Sequence, residues 1–153
     1  MMKKILSLAT AALLLAGSLI SCGGKTGGSS DTIKIGGVGP TTGGAASYGT
    51  SVKNGASLAV KEINDAGGVN GLKFELSFED DENDPEKAVN AYNKLKDSGM
   101  QILMGTVTST PCKAVKDNAH DDNMFLLTPS GSAVECTKYD NAFRIREPHP
   151  HVI

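Results

Sequence analysis

Gly105-Thr106-Val107-Thr108-Ser109-Thr110-Pro111 decides how this chain is read. It follows Ile102-Leu103-Met104, a short apolar run expected to be a buried strand. It closes on Thr110-Pro111, a hydroxyl N-cap with proline at the first helical position. Strand, hydroxyl-rich turn and helix therefore succeed one another. The first N–H groups of such a helix have no partner within it and point outward, with the positive end of the helix dipole behind them. Thr108 and Ser109 add neutral donors. The turn is a seat for a small carboxylate and holds no base, nucleophile or metal ligand, which points to a binder of small solutes rather than an enzyme.

Outward from that turn, the same alternation repeats. Thr32 to Val38 reads as strand one, and the loop from Gly39 to Ser47 (GPTTGGAAS) cannot be regular structure. From Tyr48 the pattern becomes helical, with Val52, Ala56, Ala59 and Ile63 on one face and Ala66-Gly67-Gly68 as the stop. Leu72, Phe74, Leu76 and Phe78 alternate with polar residues, which predicts strand two. Asp84-Pro85 opens a second helix through Ala88, Tyr92 and Leu95 to Ser98-Gly99. Strand three is Gln101 to Met104. A third helix from Pro111 carries Cys112, Val115 and Ala119. Strand four is Met124 to Leu127, the turn Thr128 to Ser132 (TPSGS) follows, and Ala142 to Ile145 is the fifth strand. Alternation of this kind predicts an α/β fold, a three-layer parallel sheet with helices on both faces, in strand order 2-1-3-4-5. Ligands of such sheets bind beyond the carboxyl ends of the strands, near the switch point between strands one and three. The loops 39–48, 105–110 and 128–132 follow strands one, three and four and should gather at that edge.

Composition narrows the function. The chain has 153 residues, 39% hydrophobic and 21% charged, so one packed domain is expected and disorder is not. A net charge of −2 gives no basic face for nucleic acid, and with 5% aromatics and no Trp a stacking platform for bases is absent from the pattern.

The first residues stand apart from the fold. Lys3 and Lys4 form a positive n-region and Ile5 to Ile20 an apolar stretch, together a signal peptide over 1–21 that is too short for a comfortable membrane span. Leu19-Ile20-Ser21-Cys22 resembles the bacterial lipobox, which implies cleavage before Cys22 and its thioether lipidation. An ordinary secretory signal with a chance cysteine is the alternative. Either reading places the mature protein outside the cytoplasm. Residues 22–31, Gly- and Ser-rich, form a flexible tether, so the folded part starts near residue 32.

Three further patterns carry less. Gly37 to Gly43 (GVGPTTG) resembles a dinucleotide loop, with Glu79 or Asp80 ending strand two where a ribose acid would sit. The spacing is not G-x-G-x-x-G, however, and Pro40 removes an N–H a phosphate would want. A nucleotide-binding enzyme is disfavoured and no cofactor is expected. Asp80 to Asp84 lacks the glycine and closing glutamate of an EF-hand and reads as a solvated loop capping the second helix. His120 reads as an exposed residue late in the third helix. His149 and His151 lie in a terminal PHPH run, so no metal site is expected.

Taken in order, IKIGGVGPTTGGAASYGTSVKNGASLAVKEINDAGGVNG, EDDENDPEKAVNAYNKL, GTVTSTP, LLTPSGSA and NAFRI resemble the leucine/isoleucine/valine-binding family of periplasmic binding proteins, over about residues 32 to 146. The resemblance implies the first lobe of the type 1 binding fold, with a flavodoxin-like strand order. It also implies an extracytoplasmic receptor serving an ABC importer, whose two lobes close on an amino acid. Carried over by position, Ser109 would bond the α-carboxylate through its hydroxyl and the turn at Ser130 would offer backbone groups. The Ser132 hydroxyl would contact the carboxylate or α-amine, and Tyr48 would line the side-chain pocket. Read from the residues alone, the serines serve equally as caps and turn formers, and Tyr48 as a helix-start aromatic packed on the sheet. The partners implied are a small amino acid, permease subunits and, through the lipid, a membrane. Another small solute such as an amide or urea, or a sensory role, is the alternative on the same fold.

Cys112 and Cys136 remain once Cys22 is lipidated. Outside the cytoplasm a disulfide between them is permitted, and it would staple the third helix to the segment after the 128–132 turn at a gain of about 3 kcal/mol. Two free thiols are the alternative. Family chains run more than twice this length, and residues 147–153 (EPHPHVI) depart from the family pattern, so the chain is read as a truncated or frame-shifted product or a fragmentary gene model. Without a second lobe to bury the ligand, weak amino-acid binding is expected of it.

Overall fold

A computed structural model describes residues 32–145. The signal segment 1–21, Cys22, the tether 22–31 and the tail with His149 and His151 lie outside the described residues.

Five strands form one parallel sheet in the order β2-β1-β3-β4-β5. They are β1 (Thr32–Gly39), β2 (Lys73–Asp80), β3 (Ile102–Gly105), β4 (Phe125–Thr128) and β5 (Ala142–Arg144). Three helices connect the first four, α1 (Ala46–Asp65), α2 (Pro85–Asp97) and α3 (Ser109–Asp121), and a 3-10 helix (Val134–Thr137) precedes β5. The order is the one the alternation predicts. Every strand is bounded within two residues of its expected limits.

Parallel register puts Gly36, Leu103, Leu126 and Ala142 in one row across four strands, and Gly37, Met104, Leu127 and Phe143 in the next. Side chains of successive rows point to opposite faces. The first face lies under α2 and α3. There Val38, Leu103, Leu126 and Ala142 meet Ala88, Tyr92 and Leu95 of α2 and Cys112, Val115 and Ala119 of α3 in one continuous buried cluster. No residue of α1 belongs to that cluster. On the second face α1 lies over β1 and β2, where Ala56, Ala59, Val60 and Ile63 line an apolar cavity of about 160 Å3 with Ile35, Phe74, Leu76 and Met104.

Local chemistry fixes the ends. Asp84 caps α2 as expected, its carboxylate accepting from the N–H groups of Glu86 and Lys87, with Pro85 in the first turn. Gly49 lets α1 close on the preceding loop, since a Cβ there would stand 1.9 Å from the Pro40 carbonyl oxygen. Gly105 ends β3 at φ +132°, with Val38 backbone where a side chain would go.

Two expectations need correction. The third helix starts at Ser109, not Pro111, and its N-cap is Thr108. Proline is tolerated at the third position because no first-turn N–H is needed for the helix ladder. The segment Asp80 to Asp84 is not a wholly solvated loop. Asp81 is fully buried, and burial pushes its carboxyl above the usual range.

Candidate functional site

The turns after β3 and β4 meet at the carboxyl edge of the sheet. The Val107 N–H donates to the Val38 carbonyl at 3.0 Å, which ties the first turn to the end of β1. Thr128, fully buried, donates its hydroxyl to the Thr106 carbonyl at 2.8 Å and accepts the Gly131 N–H at 3.0 Å. Ser130 donates its hydroxyl to the Val107 carbonyl at 2.6 Å. At the rim, the Ser109 hydroxyl oxygen accepts the N–H groups of Ser132 at 3.0 Å and Ala133 at 3.2 Å.

These bonds assign each serine a different capacity. The Ser109 oxygen takes two donors, so its own proton is left to be given away, from the first residue of α3. A helix leaves its first N–H groups without an internal partner. Here those belong to Ser109 and Thr110, because Pro111 has none and the Cys112 N–H already reaches the Thr108 carbonyl at 3.1 Å. One polarised hydroxyl and a helix amino end therefore stand side by side, an arrangement that favours a small anion. The Ser130 proton is spent inside the protein, which leaves its turn only backbone groups to offer. The side chain of Ser132 is exposed at the rim.

Thr108 does not act as a neighbouring donor in the way its position in the sequence suggests. Its hydroxyl donates to the Asn83 side-chain oxygen at 2.7 Å and binds the turn to the loop before α2. Tyr48, in the first turn of α1, is 61% exposed, and its ring makes no hydrogen bond or ring contact with another described residue. The structure thus brings Ser109, Ser130 and Ser132 together and leaves Tyr48 on the open rim of the 39–48 loop.

That loop is anchored by Asp80, whose carboxylate accepts from the Thr41 N–H at 2.9 Å and the Thr42 hydroxyl at 2.6 Å. Burial alone would raise its pKa, but these bonds and the Glu82 N–H outweigh it and hold the carboxyl down at about 2. Both oxygens being occupied, Asp80 does not present the free acid that a ribose would need.

Arg144 completes the site and was not foreseen from the sequence, where it is only part of a strand. Its guanidinium donates to the carbonyls of Gly131, Ser132 and Ala133 at 3.2, 2.8 and 3.2 Å. Those carbonyls are turned inward onto a cation, which leaves the N–H side of the same turn for Ser109. A strand arginine shortly after a Gly/Ser turn was the available signal. Beneath the rim Cys112 and Cys136 are both buried in one cluster and both free thiols, with no covalent bond between them.

Among the described residues no group of three or more His, Cys, Asp or Glu is placed to hold a metal ion. The edge of this α/β lobe gathers hydroxyl and amide donors at one helix amino end.

The family described as periplasmic binding protein matches residues 32–151, and the chain belongs to it. It is 41% identical over 107 residues to the leucine-, isoleucine-, valine-, threonine- and alanine-binding protein of Pseudomonas aeruginosa, covering 70% of this chain and 29% of that protein. To the Leu/Ile/Val-binding protein of Escherichia coli it is 34% identical over 107 residues, again covering 70% and 29%. Among solved structures, the branched-chain amino acid transporter substrate binding protein of Streptococcus pneumoniae, in complex with isoleucine, superposes with a TM-score of 0.68 at 34% identity. That superposition covers 73% of this chain and 32% of that one. An ABC transporter substrate-binding protein of Desulfitobacterium hafniense in complex with Leu gives 0.64 at 29% identity, over 74% and 33%. The chain thus spans about a third of the length of the relatives it matches.

Proposed function

We propose that this chain forms the carboxylate-holding lobe of an extracytoplasmic receptor for branched-chain or related amino acids, serving an ABC importer. The observation that carries the reading is the Ser109 hydroxyl, which accepts two N–H groups from the neighbouring crossover while sitting at the amino end of α3. The names of the relatives, among them proteins binding leucine, isoleucine and valine, support that ligand class.

In this reading the Ser109 proton and the Thr110 N–H hold the α-carboxylate. The Ser132 hydroxyl takes the carboxylate or the α-amine, and the backbone near Ser130 completes the seat. Tyr48 forms a wall for the apolar side chain. No step of bond making or breaking is involved, and the role is capture and presentation. Lipidated Cys22 keeps the receptor at the membrane beside its permease.

The test is a titration of the isotopically labelled chain with L-leucine, read by amide chemical shifts. Millimolar binding with shifts confined to residues 107–110 and 130–133 is expected, and these should vanish in Ser109→Ala and with leucinamide, which lacks the carboxylate. Equal shifts from leucine and leucinamide, or shifts confined to other surfaces, would refute the reading.

A further inference from the structure

Beneath the anion seat lies a second arrangement that solute binding does not use. Cys112, one turn into α3, and Cys136, in the 3-10 helix, are both completely buried, 24 residues apart in sequence. Cys136 Sγ stands 3.9 Å from the carbonyl oxygen of Ser109, in the same first turn that carries Cys112. Both cysteines belong to the same buried cluster, and each is the largest electrostatic influence on the other's thiol. The hydroxyls of Thr106 and Thr128 flank the Cys112 sulfur. The Thr106 hydroxyl is buried and has no hydrogen-bond partner.

We propose that Cys112 and Cys136 are a disulfide-forming pair that locks the first turn of α3 to the 3-10 helix. The oxidant is a disulfide of low molecular weight or a thiol–disulfide oxidoreductase. The Cys112 thiolate attacks one sulfur of that disulfide, forming a mixed disulfide and expelling one thiolate. Cys136, on losing its proton, attacks the Cys112 sulfur and expels the second. Two protein thiols are oxidised, one external disulfide is reduced to two thiols, and two protons pass to the leaving groups.

The acidities suit this order of events. The neighbouring Cys136 thiol, outweighing burial and helped by Lys116, brings Cys112 below the usual thiol range. The same pairing, with burial, pushes Cys136 up. Cys112 is thus the attacking sulfur and Cys136 the resolving one. The pair is enclosed in the folded lobe, so the bond forms as the chain folds or when the 129–137 segment opens. Once made, it braces the Ser109 contact with Ser132 and Ala133 from below. None of this depends on which solute is bound.

The experiment is refolding of the full chain in a glutathione couple rich in the oxidised form, alkylation of free thiols, and tryptic digestion without reductant. Cleavage after Lys96, Lys113, Lys116 and Lys138 places Cys112 in peptide 97–113, Cys136 in 117–138 and Cys22 in a third peptide. The expected product joins 97–113 to 117–138 with the loss of two hydrogens, and it separates on reduction. Reduction should also lower the melting temperature by about 5 °C or more, and should leave that of Cys136→Ser unchanged. Full alkylation of both cysteines after refolding, or linkage of either to Cys22, would overturn the proposal.

Discussion

The two faces of the sheet end up differently, and the more uniformly apolar one is the less covered. Under α2 and α3, Leu103 and Leu126 are completely buried and the cluster they anchor includes residues of both helices. On the opposite face, Phe125 and Phe143 stack at 5.2 Å between ring centres, yet remain 42% and 48% exposed. The difference lies in what the crossovers supply. Two consecutive helices fall on the first face and interlock through Tyr92, whose hydroxyl donates to Asp122 at 2.7 Å just past the end of α3. One helix falls on the other face, over β1 and β2, and its alanines leave an apolar gap. Both turns of the anion seat grow out of strands that are clamped on the covered face. The site therefore inherits its rigidity from one half of the molecule.

That contrast is breakable by mutation. The largest effect is expected from Leu126→Ala, which leaves a cavity in the covered cluster and should cost about 3 kcal/mol in denaturant unfolding. A cost below about 1 kcal/mol would mean that face is no tighter than the other. Arg144→Ala comes next. It strips a charged donor from three turn carbonyls and should lower stability by about 1.5 kcal/mol, with amide exchange rising over 130–134. Ser109→Ala should cost about 1 kcal/mol, because the released N–H groups of Ser132 and Ala133 can reach water. Asp80 gives a pH signature. Its folded pKa of about 2 lies below the unfolded value near 3.9, so its contribution is complete above about pH 4 and fades as pH falls toward 2. Acid unfolding of Asp80→Asn should lack that component, which is small because the group is partly exposed. The smallest effect is expected from Phe125→Ser on the open face, under about 1 kcal/mol in the same unfolding assay.

The fold was legible because its signals are local. Alternation in β2, the Asp84-Pro85 cap and the apolar run before Gly105 each state one element, and parallel crossovers leave few ways to join them. The convergence of Ser109 and Ser132 followed from topology alone, since both lie on turns at the carboxyl ends of neighbouring strands. What stayed hidden was the direction of each side chain. Thr108 looks like a ligand donor in sequence and is an internal tie in the structure. Asp81 looks solvated and is buried, and Arg144 looks like strand filler and holds a turn.

The order of residues alone settled the strand order, the placement of the three loops at one edge and the character of the seat, hydroxyl and amide donors with nothing reactive among them. These follow from periodicity, caps and the polarity of a helix end, which act over a few residues. Only the tertiary structure decided which hydroxyls are spent inside the protein, which face of the sheet is closed, and that Cys112 and Cys136 share one buried cluster. Hydrogen-bond partners and burial are set by atoms distant in sequence, and no local pattern encodes how those atoms share their donors.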